Sequence, residues 1–210
     1  MPTELEAVAA EAAGCTRCRL YQSRTQVVFG QGDPHAELMF VGEAPGFHED
    51  RQGVPFVGPS GQLLNRLLEG IGLRREDVYI CNVVKSRPPQ NRDPLPDEIL
   101  ACRPWLDAQI RLVDPKVVVT LGNFAAKTLL ETTTGITRLR GQTYPFQGRV
   151  LLPTFHPAAA LHAQGRRTAG PSPLEAMEGD FRILAELLAA QAPAEPEDSG
   201  DRPSEQLGLF

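Results

Sequence analysis

The sequence predicts an α/β fold, a three-layer α/β/α sandwich around a central four-stranded parallel sheet. Three observations carry that expectation. Four short and largely apolar runs, at residues 38–41, 78–84, 115–122 and 150–155, have the composition of strands buried on both faces. Stretches of helical spacing separate them, which makes successive strands parallel and puts helices on both faces of the sheet. Glycine, asparagine, histidine and proline stand where these runs stop. Polar groups therefore gather at the carboxyl ends of strands, where open α/β sheets keep their sites.

In chain order, residues 4–13 are rich in Ala and Glu and form a helix that stops at Gly14. Cys15 and Cys18 follow as a C-x-x-C pair, a spacing that serves a metal or iron-sulfur half-site and also a redox pair. Residues 27–30 are expected as a short strand, and Gly32, Asp33 and Pro34 turn the chain into the strand at 38–41. The turn after it, Gly42, Glu43, Ala44, Pro45 and Gly46, lets backbone approach a ligand closely, with Glu49, Asp50 and Phe56 soon after. Leu63, Leu64, Leu67, Leu68 and Ile71 lie on one helical face, and Gly72 ends that helix.

The next strand is interrupted by Asn82, an amide that must find partners or stand at the strand's end. It serves either to tie down the next loop or to read the edge of a base. Residues 85–96 are too proline-rich for regular structure. Pro96, Asp97 and Glu98 then open a helix through Leu112, with Trp105 as a core anchor. A helix over 124–131 follows the third strand, and a further short strand lies near 136–144. The fourth strand ends at His156 and Pro157, leaving an imidazole at the strand end. An amphipathic helix over 174–190 closes the fold.

With 210 residues, 41% of them apolar, the chain suits one domain over residues 1–190 followed by a disordered acidic tail over 191–210. No apolar run approaches the roughly 20 residues of a membrane span. The N-terminus lacks a charged-then-apolar leader, which predicts a cytoplasmic protein with no membrane contact. The formal charge of -5 argues against a polyanionic partner only at first sight. Glu195, Glu197, Asp198, Asp201 and Glu205 face Arg202 alone in the tail, so the domain itself is near neutral and its arginine clusters can still meet phosphate. Four cysteines in a cytosolic chain point to metal or core roles rather than to disulfides.

Glu43, Glu49, Phe56, Asn82 and His156 together suit a small flat heterocycle, stacked on the ring and read at its edge by the amide. The imidazole would then donate to a developing negative charge. The motifs GEAPGxxED at 42–50, PFVGxxGQLL at 55–64, YICNVVKxRPPxNRDP at 79–94 and HPAAAL at 156–161 resemble the family 4 uracil-DNA glycosylases, the thermostable iron-sulfur type. The resemblance runs from Cys15 to the closing helix. It implies the four-stranded α/β/α fold, uracil removal from DNA in base-excision repair, a 4Fe-4S cluster, and a nucleoid-associated monomer. It further implies that Gly42, Glu43, Ala44 and Pro45 line the pocket and that Phe56 stacks on a flipped uracil. Asn82 would read O4 and N3, and His156 would hydrogen-bond O2. Glu49 stands where the family excludes a C5 methyl group. Related families place an Asp where this turn has Ala44, so the usual general base is missing and Glu43 at most orients water.

The family pattern expects cluster thiolates at Cys15, Cys18, position 86 and Cys102, and here position 86 is Ser86. Ser86 could ligate through oxygen, the cluster could have three thiolates and an open site, or Cys81 could substitute. Strand alternation puts Cys81 and Asn82 on opposite faces, which favours Cys81 as core. Arg87, Arg92, Arg166 and Arg167 are candidate DNA contacts, with residues 163–172 as a small, basic, intercalating loop. Gln206, Leu207, Leu209 and Phe210 resemble the peptide with which bacterial repair proteins dock on the sliding clamp. Two other readings stay open. One is a uracil-DNA-binding protein of this fold with weakened catalysis or covalent trapping, and the other is a glycosylase for a different deaminated base.

Overall fold

Alternation along the strands divides the core into two halves, one on each face of the sheet. The computed structural model describes residues 1–163 and 170–191. Its regular elements run α1 (Glu4–Ala13), β1 (Gln31–Gly32), β2 (Leu38–Gly42), α2 (Phe47–Gln52), α3 (Pro59–Glu69), β3 (Tyr79–Asn82), α4 (Pro96–Val113), β4 (Val117–Leu121), α5 (Asn123–Leu130), α6 (Ile136–Leu139), β5 (Tyr144–Phe146), β6 (Arg149–Thr154), α7 (Pro157–His162) and α8 (Pro173–Gln191). Met39, Val41, Cys81, Val118 and Leu151 point to one face and meet Leu106 and Ile110 of α4 and Leu129 of α5. Their strand neighbours Leu38, Phe40, Ile80, Val119 and Leu152 point to the other, against Leu64 of α3, Ala160 of α7 and Phe181 of α8. Phe40 stacks on Phe181 with ring centres 5.9 Å apart. These are the two outer layers of the expected sandwich.

The sheet order is β1-β3-β2-β4-β6-β5, and β3, β2, β4 and β6 are the four parallel strands. Two short antiparallel edge strands, β1 against β3 and β5 against β6, widen the sheet to six. The expected strand at 27–30 is instead an extended connection. Val28 is buried and donates its N–H to the Lys85 carbonyl at 2.8 Å, and sheet pairing begins only at Gln31. Helix α3 ends at Glu69 with Gly70 as its cap, slightly before the expected stop at Gly72. Pro104 lies inside α4, which continues through it because Cys102, Trp105, Leu106, Gln109 and Ile110 are all buried around that point. Tertiary packing overrides the local preference there.

Two features position the site. Crossovers leave β2 to β3 on one side and return to β4 on the other, which opens a crevice at the strands' carboxyl ends. Helix α1, capped by Thr3 and Glu6, packs on α4 around Ala12, Phe29 and Trp105 and delivers Cys15 and Cys18 to the neighbourhood of Cys102. No helix among the described residues is long and apolar enough to cross a membrane.

Candidate active site

A cavity of ≈ 610 Å³ opens at the carboxyl ends of β2, β3 and β6. Glu43, Ala44, Glu49, Phe56, Asn82 and His156 all line it, so residues spread over more than a hundred positions meet in one cavity. Gly42 and Pro45 are buried behind the wall. In register, Gly42 lies directly beside Asn82. A Cβ at position 42 would sit 2.4 Å from Asn82 Oδ1 and 2.5 Å from Phe56 Cζ, so only glycine leaves room for amide and ring together.

Phe56 holds a left-handed backbone with φ +52°, a strained state for an aromatic residue that its surroundings must impose. Arg75 supplies one brace, donating through Nη1 to the Phe56 carbonyl at 2.9 Å and through Nη2 to the Pro55 carbonyl. Glu49 supplies the other, its Oε1 accepting from the N–H groups of Val57 at 2.9 Å and Gly58 at 2.8 Å. Gly61 completes the seat, because a Cβ there would lie 1.8 Å from the Phe56 carbonyl oxygen. The ring faces His156 with centres 5.7 Å apart and planes tilted by 35°. Arg75 also donates to Asn65 Oδ1 at 3.3 Å; in the sequence it stood only as one of a basic pair with Arg74, and nothing in its spacing pointed to the Phe56 loop.

Asn82 is buried, and its Oδ1 finds no hydrogen-bond partner among the described residues. Such an acceptor costs about 1–3 kcal/mol unless a ligand donates to it. Behind it, Lys85 Nζ donates to the Asn82 carbonyl and to Gln109 Oε1, and Gln109 Nε2 donates to the Phe29 carbonyl at 2.8 Å. This buried network fixes the strand end that carries the amide.

His156 caps α7, its Nδ1 accepting the Ala158 N–H at 3.1 Å. The proton of the neutral ring therefore sits on Nε2. Burial pushes its pKa down to about 4 against the opposing pull of the Glu49 carboxylate, so the ring is neutral at pH 7. Burial, with the Asp93 charge adding to it, pushes Glu43 up to about 7. Asp93 itself lines the cavity and escaped the sequence analysis, although its place in the loop after Asn82 was the available signal. The N-terminus of α3 opens onto the same cavity through Gly58, Pro59 and Ser60, lending partial positive charge.

The candidate DNA contacts separate. Arg87 donates through Nε to Asn91 Oδ1 at 2.7 Å and has no carboxylate partner among the described residues. Arg92 reaches the cavity wall, but its guanidinium is committed to a forked pair with buried Glu98, at 2.6 and 2.9 Å. Arg166 and Arg167, most of the 163–172 loop, and Gln206, Leu207, Leu209 and Phe210 lie outside the described residues.

Of the expected cluster residues, Cys15, Cys18 and Cys102 come close enough to feel one another's charge. Burial pushes the Cys18 and Cys102 thiols up. Trp105 Nε1–H points at Cys15 Sγ (3.4 Å) and the Lys85 N–H at Cys102 Sγ (3.5 Å). Ser86 is buried, with its Oγ accepting from Arg24 Nη1 at 3.2 Å. Cys81 is buried on the face opposite the cavity, as alternation required. No three His, Cys, Asp or Glu side chains among the described residues are grouped to hold a single metal ion.

A parallel α/β sheet whose strand ends carry a stacking ring, an edge-reading amide and a neutral imidazole defines a protein that binds a planar base. The family model described as the uracil DNA glycosylase superfamily matches residues 29–181. The chain is 45% identical over 192 residues to a type-4 uracil-DNA glycosylase of Sulfurisphaera tokodaii, covering 87% of this chain and 84% of that protein. It is 43% identical over 196 residues to one from Saccharolobus solfataricus, covering 89% and 88%. With one from Thermotoga maritima it shares 46% over 159 residues, covering 75% and 83%. The chain belongs to the uracil-DNA glycosylase superfamily, within its type-4 group.

Proposed function

We propose that this enzyme hydrolyses the N-glycosidic bond of a flipped-out deoxyuridine in DNA, releasing uracil and leaving an abasic site for base-excision repair. One observation carries the reading. Asn82 Oδ1 is a buried acceptor beside the Phe56 ring with no partner among the described residues, which suits a base that presents an N–H flanked by a carbonyl. Uracil offers N3–H to that oxygen and O4 to the amide's NH₂. Cytosine offers an acceptor at N3 and a donor at C4, and meets the wrong atoms. A base must leave the duplex stack to arrive here, at a cost of a few kcal/mol that stacking and edge hydrogen bonds offset.

In the reaction the N1–C1′ bond breaks and its electron pair passes onto uracil, spreading to O2. Water adds to C1′ and gives up a proton, and the departing uracil anion takes up one proton to leave as neutral uracil. Neutral His156 donates through Nε2 toward O2 as charge builds, and the N-terminus of α3 favours the anion. Ala44 leaves the usual base position empty, and Glu43, with its raised pKa, orients water at most. Leaving-group stabilisation is thus the main contribution. In single-turnover excision from a uracil-containing oligonucleotide, His156→Ala should lose about 10²–10³-fold in rate while Glu43→Gln stays close to the parent. A Glu43→Gln loss as large as that of His156→Ala would reverse the assignment. Glu49 lines the pocket, and the family resemblance puts it at the C5 edge of the base, where it would meet the methyl group of thymine and reject it.

For the cofactor, the donor chemistry fits an iron-sulfur cluster better than a lone ion. Three soft sulfur donors lie near enough to feel one another's charge, two of them already facing N–H groups, buried Ser86 adjoins Lys85, whose N–H faces Cys102, and a cluster spreads its ligands more widely than one ion does. Cys15, Cys18 and Cys102 would hold a 4Fe-4S cluster, with Ser86 at the fourth corner. When bound, such a group supplies a structural staple between the segment after α1 and α4. Iron and acid-labile sulfide analysis of anaerobically purified protein should find close to four of each per chain, and Cys102→Ala should abolish both. Iron-free protein with full activity would remove the cluster from the account. The enzyme acts as a cytoplasmic, nucleoid-associated monomer, and its last five residues dock on a sliding clamp.

A further inference from the structure

Helix α2 begins at the cavity's mouth with Phe47, a large apolar side chain that is 45% exposed. The guanidinium of Arg51 stands 5.6 Å and that of Arg87 5.1 Å from the centre of its ring, and His48 meets it edge-on at 5.5 Å. Neither Arg51 nor Arg87 pairs with a carboxylate among the described residues, whereas nearby Arg92 is committed to Glu98. A half-exposed aromatic ring held between cations that have no carboxylate partner among the described residues is the composition of a single-strand platform, in which a base stacks and its phosphate is held. Nothing in the base pocket uses these groups, because the flipped base is already served by Phe56, Asn82 and His156. Arg87 belongs to the loop that follows Asn82, and Phe47 opens α2 directly after the turn that carries Glu43. The rim is thus anchored on the two strands that read the base.

We propose that Phe47, Arg51 and Arg87 form a second nucleotide subsite, which holds a base and phosphate adjacent to the extruded deoxyuridine on the same strand. The inference rests on the uracil-excision reading above. An aromatic ring selects no particular base, since every base has a stacking face. The subsite therefore contributes affinity for the strand and leaves the choice of the excised base to the pocket.

The test is a coupling measurement on the full chain. Single-stranded oligonucleotides carry one deoxyuridine and, in turn, an abasic spacer on its 5′ or its 3′ side, each spacer keeping its phosphate. With the parent enzyme a spacer on one of the two sides should raise KM about tenfold. Phe47→Ala should raise KM for the intact strand by a similar factor, and the spacer should then add nothing. Phe47→Trp should restore the spacer effect, which a merely structural role for the ring would not predict. Arg51→Gln should lower the salt dependence of KM by about one counterion. An equal spacer penalty in the parent and in Phe47→Ala on both sides, or no penalty in the parent, would overturn the subsite. Failure of the parent to release any uracil would instead overturn the reading of the base pocket, and this inference with it.

Discussion

At His156 and Glu43, burial moves two pKa values in opposite directions, and each shift has a signature in stability. The His156 imidazole titrates near 6.5 when unfolded and about 4 when folded. Between those values the unfolded chain binds the extra proton, so stability falls as pH drops through that window and is fully present above 6.5. Glu43 titrates near 4.5 when unfolded and about 7 when folded. Here the folded chain holds the extra proton, so the stability this group confers is present below 4.5 and is lost as pH rises toward 7. The slopes oppose each other between 4.5 and 6.5. Thermal unfolding should separate them. Relative to the parent, His156→Gln should gain Tm progressively as pH falls from 6.5 to 4, and Glu43→Gln should gain it as pH rises from 4.5 to 7. Parallel Tm–pH curves for the parent and both variants would place these side chains in solvent-like surroundings. Asp93 enters here too, since its charge helps keep Glu43 protonated. The sequence showed it only as one acid in a proline-rich loop, because loop side chains carry no periodicity that could aim them.

Among the elements, the segment from α2 to α3 does most to shape the pocket, and it does so through strain. Phe56 stays left-handed because Arg75 forks across the Pro55 and Phe56 carbonyls while Glu49 ties down the next two N–H groups. Removing the fork should let the loop relax by the order of 1.5–3 kcal/mol, the range for hydrogen bonds from a charged donor. Arg75→Met is accordingly expected to cost about tenfold or more in kcat/KM, and to weaken inhibition by free uracil in step. Arg75→Lys should recover little, because one ammonium cannot span two carbonyls in the guanidinium's planar geometry. Unchanged uracil inhibition in Arg75→Met would show that the ring needs no brace. Strand positions, by contrast, were legible from sequence. Leu38, Phe40, Ile80 and Val119 had to alternate with Met39, Val41, Cys81 and Val118 for both faces to be covered, and the polar residues at the strand ends followed. The edge strands β1 and β5 were less legible, the first being placed four residues early and the second only roughly. Strands of two and three residues pair through backbone, and backbone pairing leaves little trace in side-chain pattern. Glu49 was identified as a pocket residue, but its grip on the Phe56 loop depends on a tertiary approach that no spacing reveals.

For the whole molecule, net charge misleads unless it is divided. The formal -5 falls mostly on residues 191–210, and the domain that carries the pocket is near neutral, with Arg51 and Arg87 beside Phe47 at its mouth and without a carboxylate partner among the described residues. An acidic tail is repelled by DNA phosphates and so adds nothing to the hold on the substrate. Its apolar end, Leu207, Leu209 and Phe210, has no place in that electrostatic role, since solubility alone would favour more charge. A peptide of this kind suits a hydrophobic groove on a protein partner, where a few buried apolar anchors carry most of the affinity. On the proposed docking, the two tasks are physically independent, with excision in the crevice above β2 and β3 and the partner held by the tail peptide. Deleting Leu209 and Phe210 should abolish binding to a bacterial sliding clamp in calorimetry and leave single-turnover uracil excision from free oligonucleotides unchanged. Equal clamp affinity for both forms would sink the docking assignment, and a loss of excision in the shortened form would show that the tail contributes to the catalytic domain after all.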